Sequence, residues 1–247
     1  MRRHLCCTFA LATLAMIAPT LHAQAPSGAM AGMNHGPAQE EKAHAIENGG
    51  IFVPGWKATV DANAVKQGQS EKDSSFKAEG GGFHVMTGPA LTYWNPKNTA
   101  SGDYTVMATF NEAQYMNRND HPHPYGIFIA GNDMGTPNES GLYCAAYGNG
   151  TFIVRGFGPA PFQVNGRRGE ANDAVHKAAG PGQPVSQSIS VQVKGDSVSC
   201  IINGATVGTY KKTDLIGEGK LKSTDGVAGI RFAHNTDATV TDFMVMK

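Results

Sequence analysis

The segment His121-Pro122-His123-Pro124-Tyr125 holds the most distinctive polar cluster in the chain. In an extended backbone, side chains two residues apart share a side, so His121 and His123 can converge on one ligand. The prolines stiffen that geometry and reduce the entropy lost when something binds. Two imidazoles so placed suit sugar contact, proton transfer or metal ligation. In an exposed proline-rich turn they would do none of these. A metal needs further ligands, for which His84 or His234 is available.

Met30, Met33 and His35 form an M-x-x-M-x-H tract. Soft thioethers suit Cu(I) and an imidazole completes a weak site, which supports a copper-handling reading against that of an incidental polar linker. Tyr93-Trp94, Tyr125, Tyr143 and Tyr147 offer aromatic faces of the kind that pack on sugar C–H surfaces, and equally supply a β-sandwich core. Arg155 and Arg231 each sit inside a strand pattern. Arg231 alternates away from Ile230 and Phe232, so it leaves the core by the opposite sheet face. On a concave face it can fork to vicinal hydroxyls or a carboxylate. The expected sugar-contacting set is therefore Tyr93, Trp94, Tyr125, Arg155 and Arg231. An ordinary two-carboxylate glycosidase is disfavoured because no E-x-D-x-E-like run is present. Asp133 and Glu139 fall in an apparent loop, Asp237 and Asp242 are separated by a turn and part of a strand, and no G-x-S-x-G elbow is visible.

The elements that must position these residues follow from composition and pattern. Gly supplies 31 of 247 residues, nearly twice the usual share of roughly 7%. Charged residues make up 16% and apolar ones 40%, enough for a core and too much for wholesale disorder. Twenty basic and 20 acidic residues give zero net charge, with no basic footprint for nucleic acid and no polybasic membrane signal. Arg2 and Arg3, the apolar run 5–18 and the small residues near Ala23 describe a secretory signal peptide over 1–23. Its removal leaves no membrane anchor and places the protein outside the cytoplasm, in the periplasm of a bacterial cell. In that compartment the two remaining cysteines, Cys144 and Cys200, can pair as a disulfide, or stay as two buried thiols.

Residues 24–49 show no sustained periodicity and read as a flexible lead-in. The domain proper is expected over 50–247. Short β-like runs appear at 75–78, 83–86, 104–110, 125–130, 142–147 and 151–157. Further runs at 189–194, 198–202, 206–210, 227–233 and 239–245 make about eleven strands, with helical turns expected only at 171–179 and 213–216. Asn203-Gly204 is a two-residue hairpin signal. The glycine- and proline-rich stretch 158–187 reads as a binding loop or a surface insertion. Many short strands joined by glycine-rich turns predict an all-β jelly roll, two antiparallel sheets of the concanavalin or laminin-G type.

Several stretches resemble the extracytoplasmic domain family named after 3-keto-disaccharide hydrolases. They are Gly55-Trp56-Lys57, Phe76-Lys77-Ala78-Glu79-Gly80, Phe83-His84-Val85, the Asn203-Gly204 turn, Gly229-Ile230-Arg231 with His234, and the closing Thr241-Asp242-Phe243-Met244-Val245. Arg231 stands where the family has glutamine. The resemblance implies a concanavalin-like jelly roll over most of 50–247. The function expected first is carbohydrate binding on one sheet face and its rim loops. The alternative implied by the family is cleavage of glycosides or their 3-keto derivatives. There the acidified C–H beside the ketone would be abstracted by a histidine base, with His121, His123 and His234 as candidates. Copper handling through Met30, Met33 and His35 is the third reading. Cofactor identity and oligomeric state are not legible at this level.

Overall fold

A computed structural model describes residues 42–158 and 161–247. Residues 1–23, expected to be a signal peptide, and the tract Met30, Met33 and His35 lie outside the described residues. In chain order the strands are β1 (Gly50–Ile51), β2 (Lys57–Val60), β3 (Ser75–Glu79), β4 (Gly82–Met86), β5 (Leu91–Ala100) and β6 (Tyr104–Glu112). They continue with β7 (Tyr125–Asn132), β8 (Ser140–Tyr147), β9 (Thr151–Phe157), β10 (Pro161–Gln163) and β11 (Glu170–Ala171). The last are β12 (Val185–Lys194), β13 (Ser197–Ile202), β14 (Ala205–Lys211), β15 (Gly226–Phe232) and β16 (Asp237–Met246). Two short helices, α1 (Ala62–Lys66) and α2 (Lys212–Leu215), interrupt them.

The strands form two sheets. The first runs β1-β3-β4-β16-β6-β12-β13-β14, and the second β10-β9-β8-β7-β15-β5-β2 with β11 also on β9. The pairings are antiparallel apart from β1 with β3 at one edge. This is the predicted jelly-roll sandwich. Its core follows from two-residue alternation. In β12, Ile189, Val191 and Val193 are buried while Ser190, Gln192 and Lys194 point away. Between the sheets Phe76 stacks on Tyr93 at 4.5 Å and Phe110 on Tyr125 at 5.5 Å. Cys144 of β8 and Cys200 of β13 are joined by a disulfide, Cα to Cα 5.9 Å, which ties one sheet to the other. The Asn203-Gly204 turn forms as expected, with φ of 50° and 83°, the left-handed pair that a type I′ hairpin requires.

Besides β1, β2 and α1, which no expected run covered, three regions differ from the sequence expectation. Strand β5 was not expected because Pro96 and its polar neighbours break the apolar pattern. The strand accommodates them where the register slips: Val227 faces Thr99 while Gly229 faces Trp94, so residues 95–98 bulge out and Pro96 owes no ladder hydrogen bond. The helical turn expected at 171–179 does not form. Asn203 and Gln187 instead hold that backbone by accepting from the His176 N–H and donating to the Ala174 and His176 carbonyls. Most of 158–187 is thereby fastened to the sandwich through β10, β11 and the buried Val175. Residues at the end of the expected lead-in are also bonded to the sheets. The His44 N–H donates to the Asn235 side chain at 2.7 Å and the Ile46 N–H to the Asp73 carbonyl at 3.1 Å.

Candidate functional site

In the second sheet, Leu91, Tyr93, Ile230 and Phe232 face inward, so alternation sends Thr92, Trp94 and Arg231 to the outer face. Register then sets two rows across that face. One runs Lys57, Trp94, Gly229, Phe128, Tyr143, Arg155 and Gln163. The other runs Thr59, Thr92, Arg231, Gly126, Ala145 and Ile153. β7 presents only Gly126 beside Arg231, which leaves the guanidinium free to reach over it. Its carbon lies 5.4 Å from the Tyr143 ring centre, and Lys57 Nζ lies 5.3 Å from that of Trp94.

Arg231 is fixed rather than loose. Asp61, which follows β2 and precedes α1, accepts from both terminal nitrogens at 2.6 Å each, and Thr92 accepts a third bond at 3.3 Å. Burial works against the guanidinium charge, but the Asp61 carboxylate outweighs it and holds the pKa above its ordinary value. The pair is asymmetric, with the Arg231 side chain 10% exposed and that of Asp61 45%. Trp94 donates its indole N–H to Thr59 at 3.2 Å. Glu139, at the entry to β8, accepts the Gly135 N–H at 3.0 Å and lies within electrostatic reach of Asp61 and Arg231. Burial raises its pKa against the opposing hydrogen bonds from Gly135 and Thr59. The half-buried Phe157 ring, parallel to Phe128 at 5.5 Å, continues the face on β9. The face thus offers fixed forked donors and acceptors among aromatic rings.

A second cluster sits at the end of the same sheet. His121 and His123 precede β7 and His234 follows β15. The Ala233 N–H bonds the Pro124 carbonyl at 3.0 Å, which closes the two segments on each other. Ring centres of His121 and His123 are 4.3 Å apart, and those of His123 and His234 4.0 Å. The two Nε2 atoms of His121 and His123 face each other at 2.9 Å. His123 Nδ1 contacts the His234 carbonyl at 2.5 Å, and His121 Nδ1 contacts the Asp120 carboxylate. Burial, followed by the neighbouring His234, lowers the His123 pKa to about 3. An imidazole of that pKa is a poor base at neutral pH. His84 is engaged elsewhere, with Asp237 at 2.8 Å and Glu79 at 3.3 Å.

No family model matches the chain, and no curated protein matches it. Solved structures do. A carbohydrate-binding module, CBM66, from Bacillus subtilis superposes with a TM-score of 0.51 at 10% identity, over 81% of this chain and 99% of that one. A Bacillus subtilis protein of unknown function with a galectin-like fold superposes with a TM-score of 0.50 at 14% identity, over 77% and 88%. The chain has a galectin-like jelly-roll fold. At these identities the likeness carries the fold; it does not carry membership of the 3-keto-disaccharide hydrolase family.

Within this jelly roll the expected site residues separate. Trp94, Arg155 and Arg231 share the outer face, where Trp94 and Arg231 are only 8% exposed and Arg155 is half-buried. Tyr93 and Tyr125 do not: at 1% and 0% exposure they lie between the sheets and present no surface to a sugar, because the inward-facing positions of β5 and β7 need large rings to fill the core. His121, His123 and His234 are brought together, as one cluster apart from that face. Asp61 and Thr92 were missed, and Glu139 was weighed only as part of a two-carboxylate pair. Asp61 and Arg231 are 170 residues apart, and no one-dimensional pattern links them. Tyr143, already named as an aromatic candidate, is placed beside Arg231 only by cross-strand register, and Lys57 becomes legible only through it.

Proposed function

We propose that the protein binds carbohydrate on the outer face of the second sheet, centred on Arg231, and that it does so after export. The observation that carries this reading is the Asp61–Arg231 fork. It is a guanidinium immobilised by two 2.6 Å bonds, with the carboxylate half open to solvent, beside Trp94 and Tyr143. Vicinal sugar hydroxyls match a fixed donor–acceptor pair, and aromatic edges suit sugar C–H surfaces. Little ordering entropy remains to be lost on binding, since the fork is already set. The likeness to a carbohydrate-binding module fits the same use of this fold. The Cys144–Cys200 disulfide fits an oxidising compartment.

The test is a glycan panel screened with the purified chain, followed by calorimetry on the best ligand. At least one oligosaccharide should bind. Asp61→Asn and Arg155→Ala should each weaken it about 10-fold or more, the size of a lost charge-assisted hydrogen bond. Folded variants with an unchanged Kd, or a panel with no ligand, would count against this assignment.

A further inference from the structure

The stretch 158–187, expected as a binding loop or a surface insertion, helps to form a cavity that the outer sheet face does not use. We propose that this cavity is a second ligand site, at the rim of the sandwich, for a single neutral sugar unit. It lies between the β8–β9 turn, which carries Asn149 and Gly150, and residues 171–177 of the loop. Its volume is about 560 Å³, within the range of small-molecule sites. The residues that line it are separate from those around Arg231, so either site can exist without the other.

The walls are set before anything binds. The Asn172 N–H donates to the Gly150 carbonyl at 3.2 Å and the Ala178 N–H to the Gly148 carbonyl at 2.8 Å, which fastens the loop to the turn. Behind them Gln187 is fully buried and spends its amide on one residue of the wall. It accepts the His176 N–H at 3.0 Å and donates to the His176 carbonyl at 2.7 Å. Asn203, in the β13–β14 turn, donates to the Ala174 carbonyl at 2.7 Å and to Gln187 Oε1 at 2.8 Å, and accepts the Ser188 N–H at 2.8 Å. A buried network whose polar atoms are satisfied is rigid, so little backbone entropy remains to be lost on binding. The side chains on that fixed backbone supply donors and acceptors together. Asn149 Oδ1 is occupied by the N–H and hydroxyl of Thr151, and Asn172 Oδ1 by the Ala174 N–H, so each amide nitrogen is left to donate. Lys177 adds an ammonium. The acceptors are the Asp173 carboxylate and the Nε2 of His176, a ring that donates from Nδ1 to the Ser186 carbonyl at 2.7 Å. Asp173, His176 and Lys177 are exposed. A hydroxyl both donates and accepts, so a polyhydroxylated ligand satisfies the whole set. An anion would use only the donors and be repelled by Asp173, and a cation would be repelled by Lys177. Among the described residues no Phe, Tyr or Trp lines the cavity, so binding rests on hydrogen bonds and is expected in the millimolar range.

The experiment is a titration of the full, isotope-labelled chain, read through its backbone amide chemical shifts. The probes are the methyl glycosides of glucose, galactose, mannose and fucose and, separately, sodium phosphate. At least one glycoside should shift the amides of Asn149, Gly150 and residues 172–177, saturating in the millimolar range. Asp173→Ala and Lys177→Ala, both at exposed side chains and checked by circular dichroism for fold, should each weaken that binding about 10-fold or more. That is the size of a lost hydrogen bond to a charged group. Saturable shifts at these amides that survive both variants unchanged overturn the site. Phosphate binding there without any glycoside binding overturns the ligand class. Shifts confined to β5, β8 and β15 report the outer face alone, which overturns the cavity site and leaves the reading of the outer face standing. No saturable shift at 149–150 and 172–177 with any probe overturns the site as well.

Discussion

Replacing Cys144 and Cys200 together by alanine is expected to lower the stability of the protein by about 4 kcal/mol. The bridge closes a loop with a sequence separation of 56 residues. In the chain-entropy description, restoring that loop's freedom to the unfolded chain favours unfolding by about 4 kcal/mol. The effect is concentrated here because the bond spans β8 and β13, one strand from each sheet. No strand of one sheet pairs with a strand of the other among the described residues, so the bridge adds a covalent tie to the side-chain packing between them. For a domain of this size the loss corresponds to a fall in Tm of about 8–16 °C. Thermal melts of the oxidised wild type and the double variant, followed by circular dichroism, check it. Melting curves that coincide would remove the disulfide from the account of stability.

Glu112→Gln is expected to stabilise the protein at pH 8 by about 3 kcal/mol and to do nothing at pH 4. Glu112 ends β6 with 2% exposure. Its Oε1 accepts the Met116 N–H at 3.2 Å, while Oε2 has no hydrogen-bond partner among the described residues. Burial raises its pKa from 4.5 to about 7; the Met116 bond opposes the rise and the charge of Asp237 adds to it. The folded state thus favours the protonated carboxyl. Below about pH 4.5 both folded and unfolded chains are protonated and the stabilisation of the neutral form is fully present. As pH rises towards 7 the unfolded chain ionises while the folded one keeps its proton, so stability falls. Above about 7 the loss is complete, about 3 kcal/mol at 1.36 kcal/mol per pH unit between the two values. Glutamine has the shape of the neutral acid and cannot ionise, so the variant escapes this loss. Urea melts at pH 4, 6 and 8 measure the difference. Parallel pH profiles for the two proteins would show that Glu112 does not titrate in this way.

The outer face of the second sheet and the imidazole cluster differ in how far they could be read in advance. Arg231 was placed on the outer face correctly, because Ile230 and Phe232 on either side are strongly apolar and alternation leaves one choice. Trp94 and Tyr93 show the limit of that reasoning. Neighbours in a strand must face opposite ways, but two aromatic rings give no local sign of which one faces inward. The first sheet decides it, by offering Phe76 as a stacking partner to Tyr93. Asp61 was invisible for another reason. Its role depends on β2 lying beside β5, and β5 was itself hidden by Pro96. The histidines were partly legible. His121 and His123 are two apart and share a side by strand geometry, whereas the choice of His234 over His84 as their neighbour needed the pairing of β7 with β15.

By itself, then, the sequence determined the all-β character, most strand positions, the Asn203-Gly204 turn and Cys144 and Cys200 as the candidates for a bridge. Each of these rests on interactions within a few residues, or on there being a single possible partner. The tertiary structure decided which residues share the outer face of the second sheet and which histidines met. It also set the Asp61–Arg231 fork, the buried state of Glu112 and the inward turn of Tyr93 and Tyr125. These depend on strand order and on the stacking of two sheets. Both bring together residues more than a hundred positions apart, and period-two alternation carries no information about which strands will be neighbours.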